Sequence, residues 1–450
     1  MFDSILIANR GEVAVRIIRS AREMGIKTVA VYSQADAHSR HVRMADRAVC
    51  IGPAQSTASY LNQANIIMAA LNTGAGAIHP GYGFLAENAE FARLCADEGL
   101  VFVGPSPDAI TRMGNKSIAR ATAGAAGVPV VPGSPGAIDT VAEAATFADE
   151  VGYPVLVKAS AGGGGKGMRV AHDADDLAHQ FTAARTEAAA AFGDDTVYLE
   201  KYLARPKHIE IQILTDTHGN GVYLFERDCS VQRRHQKLIE EAPSVVLTPE
   251  TRKEMGRAAL RLAENVGYVG AGTVEFLYDT DGSWYFMEMN TRVQVEHPVT
   301  EAICGLDIIA AQIRIAAGEP LGLTQDDLSI DGHAIEFRIN AEDPAQDFRP
   351  SPGTVSRFTL PGGFGVRVDT HLAAGETISP YYDSLIAKLI VHGADRSECI
   401  ARARRALGEF DVAGVATTIP FHLEALTVPA FIEGRVYTDF VDTEMGGSDD

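Results

Sequence analysis

Gly272-Thr273-Val274-Glu275-Phe276-Leu277-Tyr278-Asp279-Thr280-Asp281-Gly282-Ser283-Trp284-Tyr285-Phe286-Met287-Glu288-Met289-Asn290 reads as two strands joined by a tight turn. Asp-Gly between runs rich in aromatic and apolar residues is a strong signal for a two-residue hairpin loop. With Asp281-Gly282 as that loop, Glu275 falls directly opposite Glu288, and Asn290 lies two residues on, on the same face. Two carboxylates facing each other across a ladder repel, so the pattern asks for a cation between them. Two carboxylates and an amide oxygen are hard ligands, suited to Mg²⁺ or Mn²⁺ that keeps its other positions for water and phosphate. The same alternation also fits a polar strand face washed by solvent, and a one-residue slip would undo the pairing.

The stripe continues past the hairpin. Glu288, Asn290, Arg292, Gln294 and Glu296 take every second position, with Met287, Met289, Val293 and Val295 between them. Read as one strand from Met287 to Glu296, this sets metal ligands and then Arg, Gln and Glu in line, a substrate track beginning at a metal.

Antiparallel signals surround this hairpin. His208-Ile209-Glu210-Ile211-Gln212-Ile213 alternates as a half-buried strand should. Helices are expected at Pro249 to Asn265, Asp307 to Ala317 and Arg396 to Gly408. The first hundred residues differ. Short apolar strands at Ser4 to Ala8, Thr28 to Tyr32, Ala77 to His79 and Leu100 to Val103 alternate with helical stretches, which predicts a parallel sheet with right-handed crossovers. That first domain ends near Met113. Pro- and Gly-rich sequence from Gly127 to Gly136 marks a boundary. A small module follows, with a helix over about Thr140 to Val151, the strand Pro154 to Ala159, a glycine loop, a helix and the strand Thr196 to Tyr202.

The composition limits the function. The chain has 450 residues, 46% hydrophobic and 22% charged, ordinary globular values. No apolar run approaches the ~20 residues that span a bilayer. Met1 to Ile7 has no basic region before its apolar stretch and reads as a strand rather than a signal peptide. Five cysteines without a CxxC pair fit a reduced cytoplasm and neither a zinc ribbon nor a disulfide framework. A net charge of −20 argues against binding nucleic acid or an anionic membrane. If the substrates are anions, the basic residues must gather where those anions sit. Arg227-Asp228-Cys229-Ser230-Val231-Gln232-Arg233-Arg234-His235-Gln236-Lys237 holds four permanent cations and one carboxylate, and reads as an anion site rather than a solvated loop. Arg338, in the alternating strand Ala334 to Asn340, could join it or form an ordinary surface ion pair.

Lys158-Ala159-Ser160-Ala161-Gly162-Gly163-Gly164-Gly165-Lys166-Gly167-Met168 follows a strand. It is not a Walker A loop, because Gly167 stands where Ser or Thr should follow the lysine, and its GxGxxG match is weak by itself. Four consecutive glycines let backbone N–H groups close over phosphates as a flap. Lys116 and Lys158 are candidates for direct phosphate contact. Glu200-Lys201-Tyr202-Leu203 ends a strand where backbone groups can read an adenine edge, with Glu200 accepting from the amino group. Alone, Glu200 and Lys201 are more often an ordinary exposed pair.

At these residues the sequence resembles the biotin carboxylase family of ATP-grasp ligases, over essentially the whole chain. The likeness is carried by Ile5-Leu6-Ile7-Ala8-Asn9-Arg10-Gly11-Glu12, by His79-Pro80-Gly81-Tyr82-Gly83-Phe84-Leu85-Ala86-Glu87-Asn88, by the Arg227–Lys237 run, and by Glu288 through Glu301. The resemblance implies a mixed α/β and α+β architecture. A Rossmann-like parallel-sheet domain would span 1–113, and a linker with the ATP-grasp lid and its glycine flap 114–203. The ATP-grasp large lobe and antiparallel C-terminal domain would span 204–446, before a tail at 447–450. It implies two Mg²⁺ or Mn²⁺ ions on Glu275, Glu288 and Asn290. ATP would meet Lys116, Lys158, Gly163, Gly164, Gly165, Lys166, Met168, Glu200, Lys201, Leu203, His208, Gln232 and His235, with Leu277 under the adenine. Bicarbonate would sit among Lys237, Arg292, Gln294, Val295 and Glu296, and Arg338 would face the biotin ureido oxygen. Glu296 would be the base, with Lys237 and Arg292 offsetting charge. One departure is Ala161, which interrupts the family's glycine run.

The implied activity is ATP- and bicarbonate-dependent carboxylation of biotin through carboxyphosphate, the first half-reaction of an acyl-CoA carboxylase of fatty acid biosynthesis. Its partners would be a biotin carboxyl carrier protein or domain and the carboxyltransferase, with the chain itself forming a homodimer. No Met-Lys dipeptide occurs, so the carrier's biotinylation motif is missing from this sequence. The ending is similar to α subunits of acyl-CoA carboxylases that continue into a carrier domain. The rivals are another ATP-grasp ligase, such as a carbamoyl-phosphate or amino-acid ligase, and a catalytically dead ATP-binding regulatory protein.

Overall fold

The computed structural model of the protein describes residues 1–159, 168–192 and 195–446. The chain divides into two compact units. The larger comprises Met1–Val128, Lys207–Phe276 and Glu288–Asp450, and the smaller Pro129–Pro206 with Leu277–Met287. The fold is mixed α/β, with a parallel sheet at the N-terminus and antiparallel sheets elsewhere, as the sequence predicts.

In the larger unit β1 (Ser4–Ile7), β2 (Lys27–Ser33), β3 (Arg47–Gly52), β4 (Ala77–His79) and β5 (Val101–Phe102) form a parallel sheet in the order β3-β2-β1-β4-β5. Successive side chains of β1 go to opposite faces. Ile5 and Ile7 pack with Val13, Ile17 and Ile18 of the helix Gly11–Glu23. Leu6 packs with Ile66, Ile78 and Phe91 on the other side. Both faces of β1 are covered, which is why it reads as a continuous apolar run.

Two further strands, β6 (Val155–Ala159) and β7 (Met168–Ala171), join β8 (Val197–Lys201) in the smaller unit, as an antiparallel sheet ordered β7-β6-β8. The helices Val141–Val151 and Ala174–Phe192 supply Ala144, Ala148, Leu177 and Phe181 to its core, against Val155, Val157 and Leu199. A capping box between Thr140 and Glu143 starts the first of these helices.

The second sheet of the chain has eight strands. Those that position the site are β9 (Lys207–Thr215), β10 (Gly221–Arg233), β11 (Gln236–Ala242), β12 (Gly270–Tyr278), β13 (Trp284–Asn290) and β14 (His333–Asn340). The order runs β13-β12-β9-β10-β11-β14, then the strands Leu385–Gly393 and Val366–Thr370. Phe337, Ile339, Leu389 and Val391 pack with Ile400, Ala403 and Leu407 of the helix Arg396–Glu409. The alternate positions of β11 and β14, Glu240, Glu336 and Arg338, carry charge. Among the described residues no helix is long and apolar enough to cross a membrane.

Three expectations are corrected here. The alternating strand β9 is buried over its whole length rather than half-buried, because its polar positions sit in an internal charge network instead of in water. The hairpin loop has three residues rather than two. Gly282 N–H donates to Asp279 C=O at 3.1 Å and Asp279 N–H to Ser283 C=O at 2.8 Å. Gly282, at φ 87°, takes the left-handed position after the turn. The Asp281-Gly282 count that set Glu275 directly opposite Glu288 therefore does not hold at the turn. Finally, the stripe from Met287 to Glu296 is not one strand. β13 ends at Asn290, 291–296 are irregular, and Glu296 occupies the N-cap position of the helix His297–Cys304, where Pro298 is near the start.

Candidate active site

Lys237 on β11 stands at the centre of a carboxylate cluster. Its Nζ donates to Glu210 Oε2 at 2.5 Å, Glu296 Oε1 at 2.6 Å and Glu275 Oε1 at 3.1 Å. Burial alone would lower the Lys237 pKa, but Glu210, Glu296 and Glu275 hold it well above the ordinary lysine value. Its charge is permanent at any physiological pH.

Glu296 is bound at both oxygens. While Lys237 holds Oε1, Arg338 on β14 donates from Nη2 to Oε2 at 3.0 Å and from Nε to Glu240 Oε1 at 2.5 Å. Burial would raise the Glu296 carboxyl, yet Lys237, Arg338 and Arg227 hold it well below the carboxylate range. It is ionised.

Arg292 donates from Nε to Glu87 Oε2 at 2.9 Å and from Nη2 to Asn290 Oδ1 at 3.0 Å. Gln294 donates to Glu275 Oε1 at 2.7 Å and accepts from Arg227 at 2.7 Å. The carbonyl of Val295 accepts from the buried Lys388 at 2.7 Å. The five residues proposed around bicarbonate, 237, 292, 294, 295 and 296, thus lie in one part of the larger unit, although an irregular segment rather than a strand delivers four of them.

The Arg227–Lys237 run does not work as one basic patch. Arg227 is fully buried and committed to Glu210, Gln212, Thr273, Gln294 and Thr300. Arg233 and Arg234 pair with Asp347. Of its four cations, Lys237 bonds Glu296 directly, Arg227 joins the cluster through Glu210, and Arg233 and Arg234 stay outside it. The run's spacing showed charge but not the carboxylates that neutralise it, which come from distant parts of the chain.

Asn290 Nδ2 donates to Glu275 Oε1 at 2.7 Å. Glu288 has Lys116 Nζ at 3.9 Å from its Oε2. Burial and then the charge of Glu275 raise the Glu288 carboxyl, while Glu275 itself, despite burial, is held low by Lys237 and His208. Repulsion is therefore left over at Glu288, as at a site that fits a divalent cation. Asn290 now turns its amide nitrogen to Glu275 and its oxygen to Arg292, so ligation needs that oxygen to turn.

His208 Nε2 lies 2.9 Å from Glu275 Oε2, and Gln232 is buried beside Lys237 in the ladder. His235 and Lys116 are exposed. These all belong to the larger unit. The smaller unit carries Lys158, whose Nζ donates to Glu200 Oε2 at 2.7 Å, with half-buried Lys201, buried Leu203, half-buried Leu277 and exposed Met168. Gly163, Gly164, Gly165 and Lys166 lie outside the described residues.

Sequence reading passed over three residues that hold this machinery: Glu210, Glu87 and Glu240. Glu210 could have been found, since its polar strand pairs with the arginine-bearing β10, and Glu210 and Arg227 are Cα partners across the ladder.

Comparison with known proteins agrees with this layout. The family model for the biotin carboxylase N-terminal domain matches residues 1–110 and that for the C-terminal domain residues 336–443. Between them, residues 115–324 match the ATP-binding domain of the carbamoyl-phosphate synthase L chain. The chain is 57% identical over 440 residues to a biotin carboxylase of Nostoc sp., covering 98% of each. The chain belongs to the biotin carboxylase family. Family members include a pyruvate carboxylase subunit of Methanothermobacter thermautotrophicus, 52% identical, covering 100% of this chain and 91% of that one. A solved biotin carboxylase domain of a thermophilic 2-oxoglutarate carboxylase, bound to ADP without magnesium, superposes with a TM-score of 0.94 at 50% identity, covering 98% of each chain. The biotin carboxylase domain dimer of the Hydrogenobacter thermophilus 2-oxoglutarate carboxylase, in complex with MgADP, ADP and bicarbonate, gives 0.87 at 50% identity, covering 98% and 97%.

Proposed function

We propose that this chain is a biotin carboxylase. It uses ATP to convert bicarbonate to carboxyphosphate and transfers the carboxyl group to N1 of biotin on a carrier protein or domain, releasing ADP and phosphate. The observation that carries this reading is the double hold on Glu296, by Lys237 at one oxygen and Arg338 at the other. One carboxylate thereby joins the bicarbonate half of the reaction to the biotin half.

Bicarbonate is an anion and a poor electrophile, so it must be activated by phosphorylation. Lys237 and Arg292 offset the charge that gathers as its oxygen attacks the γ-phosphate. Magnesium, held by Glu275, Glu288 and the Asn290 oxygen, supplies charge neutralisation to the phosphates when bound. Glu296 takes the bicarbonate proton. A carboxylate held as low as Glu296 is a weak base. Bicarbonate entering beside Lys237, and a ureido oxygen beside Arg338, compete for the cations that depress it and so raise its basicity where it is needed. Carboxyphosphate then breaks down to CO₂ and phosphate, the phosphate takes the N1 proton, and Arg338 stabilises the enolate-like ureido oxygen.

Lys116, Lys158, Gly163 to Lys166, Met168, Glu200, Lys201, Leu203, His208, Gln232, His235 and Leu277 form the ATP site in this proposal. A homodimer, a biotin carboxyl carrier protein or domain, a carboxyltransferase partner, a cytoplasmic setting and a place in fatty acid biosynthesis belong to the same reading. The relatives' names span pyruvate and 2-oxoglutarate carboxylases, which supports a final acceptor chosen by the carboxyltransferase. The deciding assay is bicarbonate-dependent ATP hydrolysis with and without free biotin. Stimulation by biotin is expected; ATPase activity indifferent to biotin would point to another ATP-grasp ligase.

A further inference from the structure

Behind Arg338 lie two carboxylates that the reaction above does not use. Glu240 on β11 and Glu336 on β14 are Cα partners across the antiparallel ladder, and both are fully buried. Directly opposed side chains share a face, with Cβ atoms ~4.5–5.5 Å apart, close enough for two glutamates to touch. Glu240 uses Oε1 to accept from Arg338, while among the described residues its Oε2 has no hydrogen-bond partner and neither oxygen of Glu336 has one. A buried carboxylate with no donor is untenable as an anion, and two of them face to face are worse. A proton on Glu336 removes both difficulties, because its O–H then donates to the vacant Glu240 Oε2.

The surroundings agree. Lys388 on the strand Leu385–Gly393 faces Glu336 but is engaged by Val295 C=O and by Glu12 at 3.3 Å. The other charged neighbours are Arg338 and Glu296, with Lys237 near Glu240. On the helix His297–Cys304, packed against β14, His297 is held neutral by burial and by Lys388, and Glu301 is bound to Arg16 and Arg367. Burial pushes Glu336 well above the carboxylate range, and Glu240 up to about 7 against the pull of Arg338.

We propose that Glu240 and Glu336 share one proton across the ladder, and that this singly charged pair is the positioning device that holds Arg338 between Glu296 and biotin. The Arg338 part rests on the biotin reading; the shared proton does not. Loss of the proton at alkaline pH would leave two opposed anions, whose added charge draws Arg338 toward the pair and away from Glu296 and biotin.

Infrared spectra of the intact chain at neutral pH should show the C=O stretch of a protonated carboxyl group that is missing in Glu336→Gln. The Gln amide still donates to Glu240 but cannot ionise. That variant should therefore keep near-wild-type biotin-dependent turnover at neutral pH and lose its alkaline limb, with the biotin-independent ATPase profile unchanged. Glu336→Leu, which leaves Glu240 Oε2 without a donor, should lose roughly tenfold to hundredfold in biotin-dependent kcat, the range seen when an orienting partner is removed. Absence of the infrared difference would overturn the shared proton. An unaltered alkaline limb in Glu336→Gln, or full activity in Glu336→Leu, would overturn the positioning role. A wild-type enzyme that biotin does not stimulate would remove the biotin reading and that role with it, while the infrared result still decides the proton.

Discussion

Lys237 Nζ and Glu296 Oε1 lie 2.6 Å apart inside a cluster whose other members are also charged. A base locked to an ammonium is stored in its ionised form, ready for a substrate that competes for the same lysine. Glu296→Ala removes the proton acceptor and leaves Lys237 two other carboxylates. Biotin carboxylation should fall by roughly 10²–10⁴-fold, the usual contribution of a general base, while ATP affinity by equilibrium binding changes little. Unchanged turnover would remove Glu296 from this role.

The Arg338 guanidinium donates to Glu296 and Glu240, and among the described residues assigned to ATP none bonds it. Arg338→Ala should therefore lower biotin carboxylation by about 10²–10³-fold, as loss of an oxyanion-stabilising donor does elsewhere. Bicarbonate-dependent ATP hydrolysis should fall far less. Equal losses in the two assays would contradict the assignment.

How much of this was legible in the sequence follows from distance along the chain. The parallel N-terminal sheet was readable because each strand and the helix after it carry their own periodicity. The Glu288–Glu296 stripe put the right residues in order but through the wrong conformation. Alternation by twos cannot separate a strand from an irregular segment leading into a helix, and here Pro298 was the sign of the break. The hairpin loop was missed by one residue because Asp-Gly also serves a three-residue turn with Gly282 in the left-handed position. The partners of Arg227 come from β9, β12 and the segments at Gln294 and Thr300, so no local pattern could show that it is internal. The Glu240–Glu336 opposition needs the β11–β14 register, which only the fold supplies.

Glu288 tests the metal. Its carboxylate is raised by burial and the charge of Glu275 against the pull of Lys116, 3.9 Å away. Glu288→Gln keeps the shape and removes the charge. The Mg²⁺ concentration for half-maximal ATPase activity should rise at least about tenfold, in line with losses from disturbed metal sites. An unchanged metal requirement would place the cation elsewhere.

Arg227 tests the scaffold. Its guanidinium is one of two counter-charges to the buried Glu210, at 2.5 Å as Lys237 is, and it also donates to Gln212, Thr273, Gln294 and Thr300. Arg227→Leu leaves that carboxylate underpaired and releases the other acceptors. A loss of about 3–5 kcal/mol in unfolding free energy is expected, as for breaking other buried pairs. Denaturant titration measures it, and a loss below ~1 kcal/mol would show that the network repacks or hydrates.

Acid stability depends on buried histidines to which the reaction assigns no role. His41 and His422 are pushed down to about 4, and His79 and His371 to about 3, chiefly by burial. Unfolded, each titrates near 6.5. Below that value the unfolded chain binds protons that the folded chain refuses. The stability these groups contribute is thus fully present above about 6.5 and is lost as the pH falls toward their folded values. Each histidine contributes up to about 1.4 kcal/mol per pH unit within that window. Glu241, held down to about 2 against burial by Arg396 and His333, adds a loss of the same sign, but only below its unfolded value of 4.5. Between pH 6.5 and about 4.5 the decline belongs mainly to the histidines, and the raised carboxyls of Glu240 and Glu336, protonated in the fold before they are in the unfolded chain, offset part of it. The thermal midpoint should drop steadily across that interval, and a midpoint that stays flat until the carboxylates titrate would show that the four imidazoles are hydrated in the folded protein.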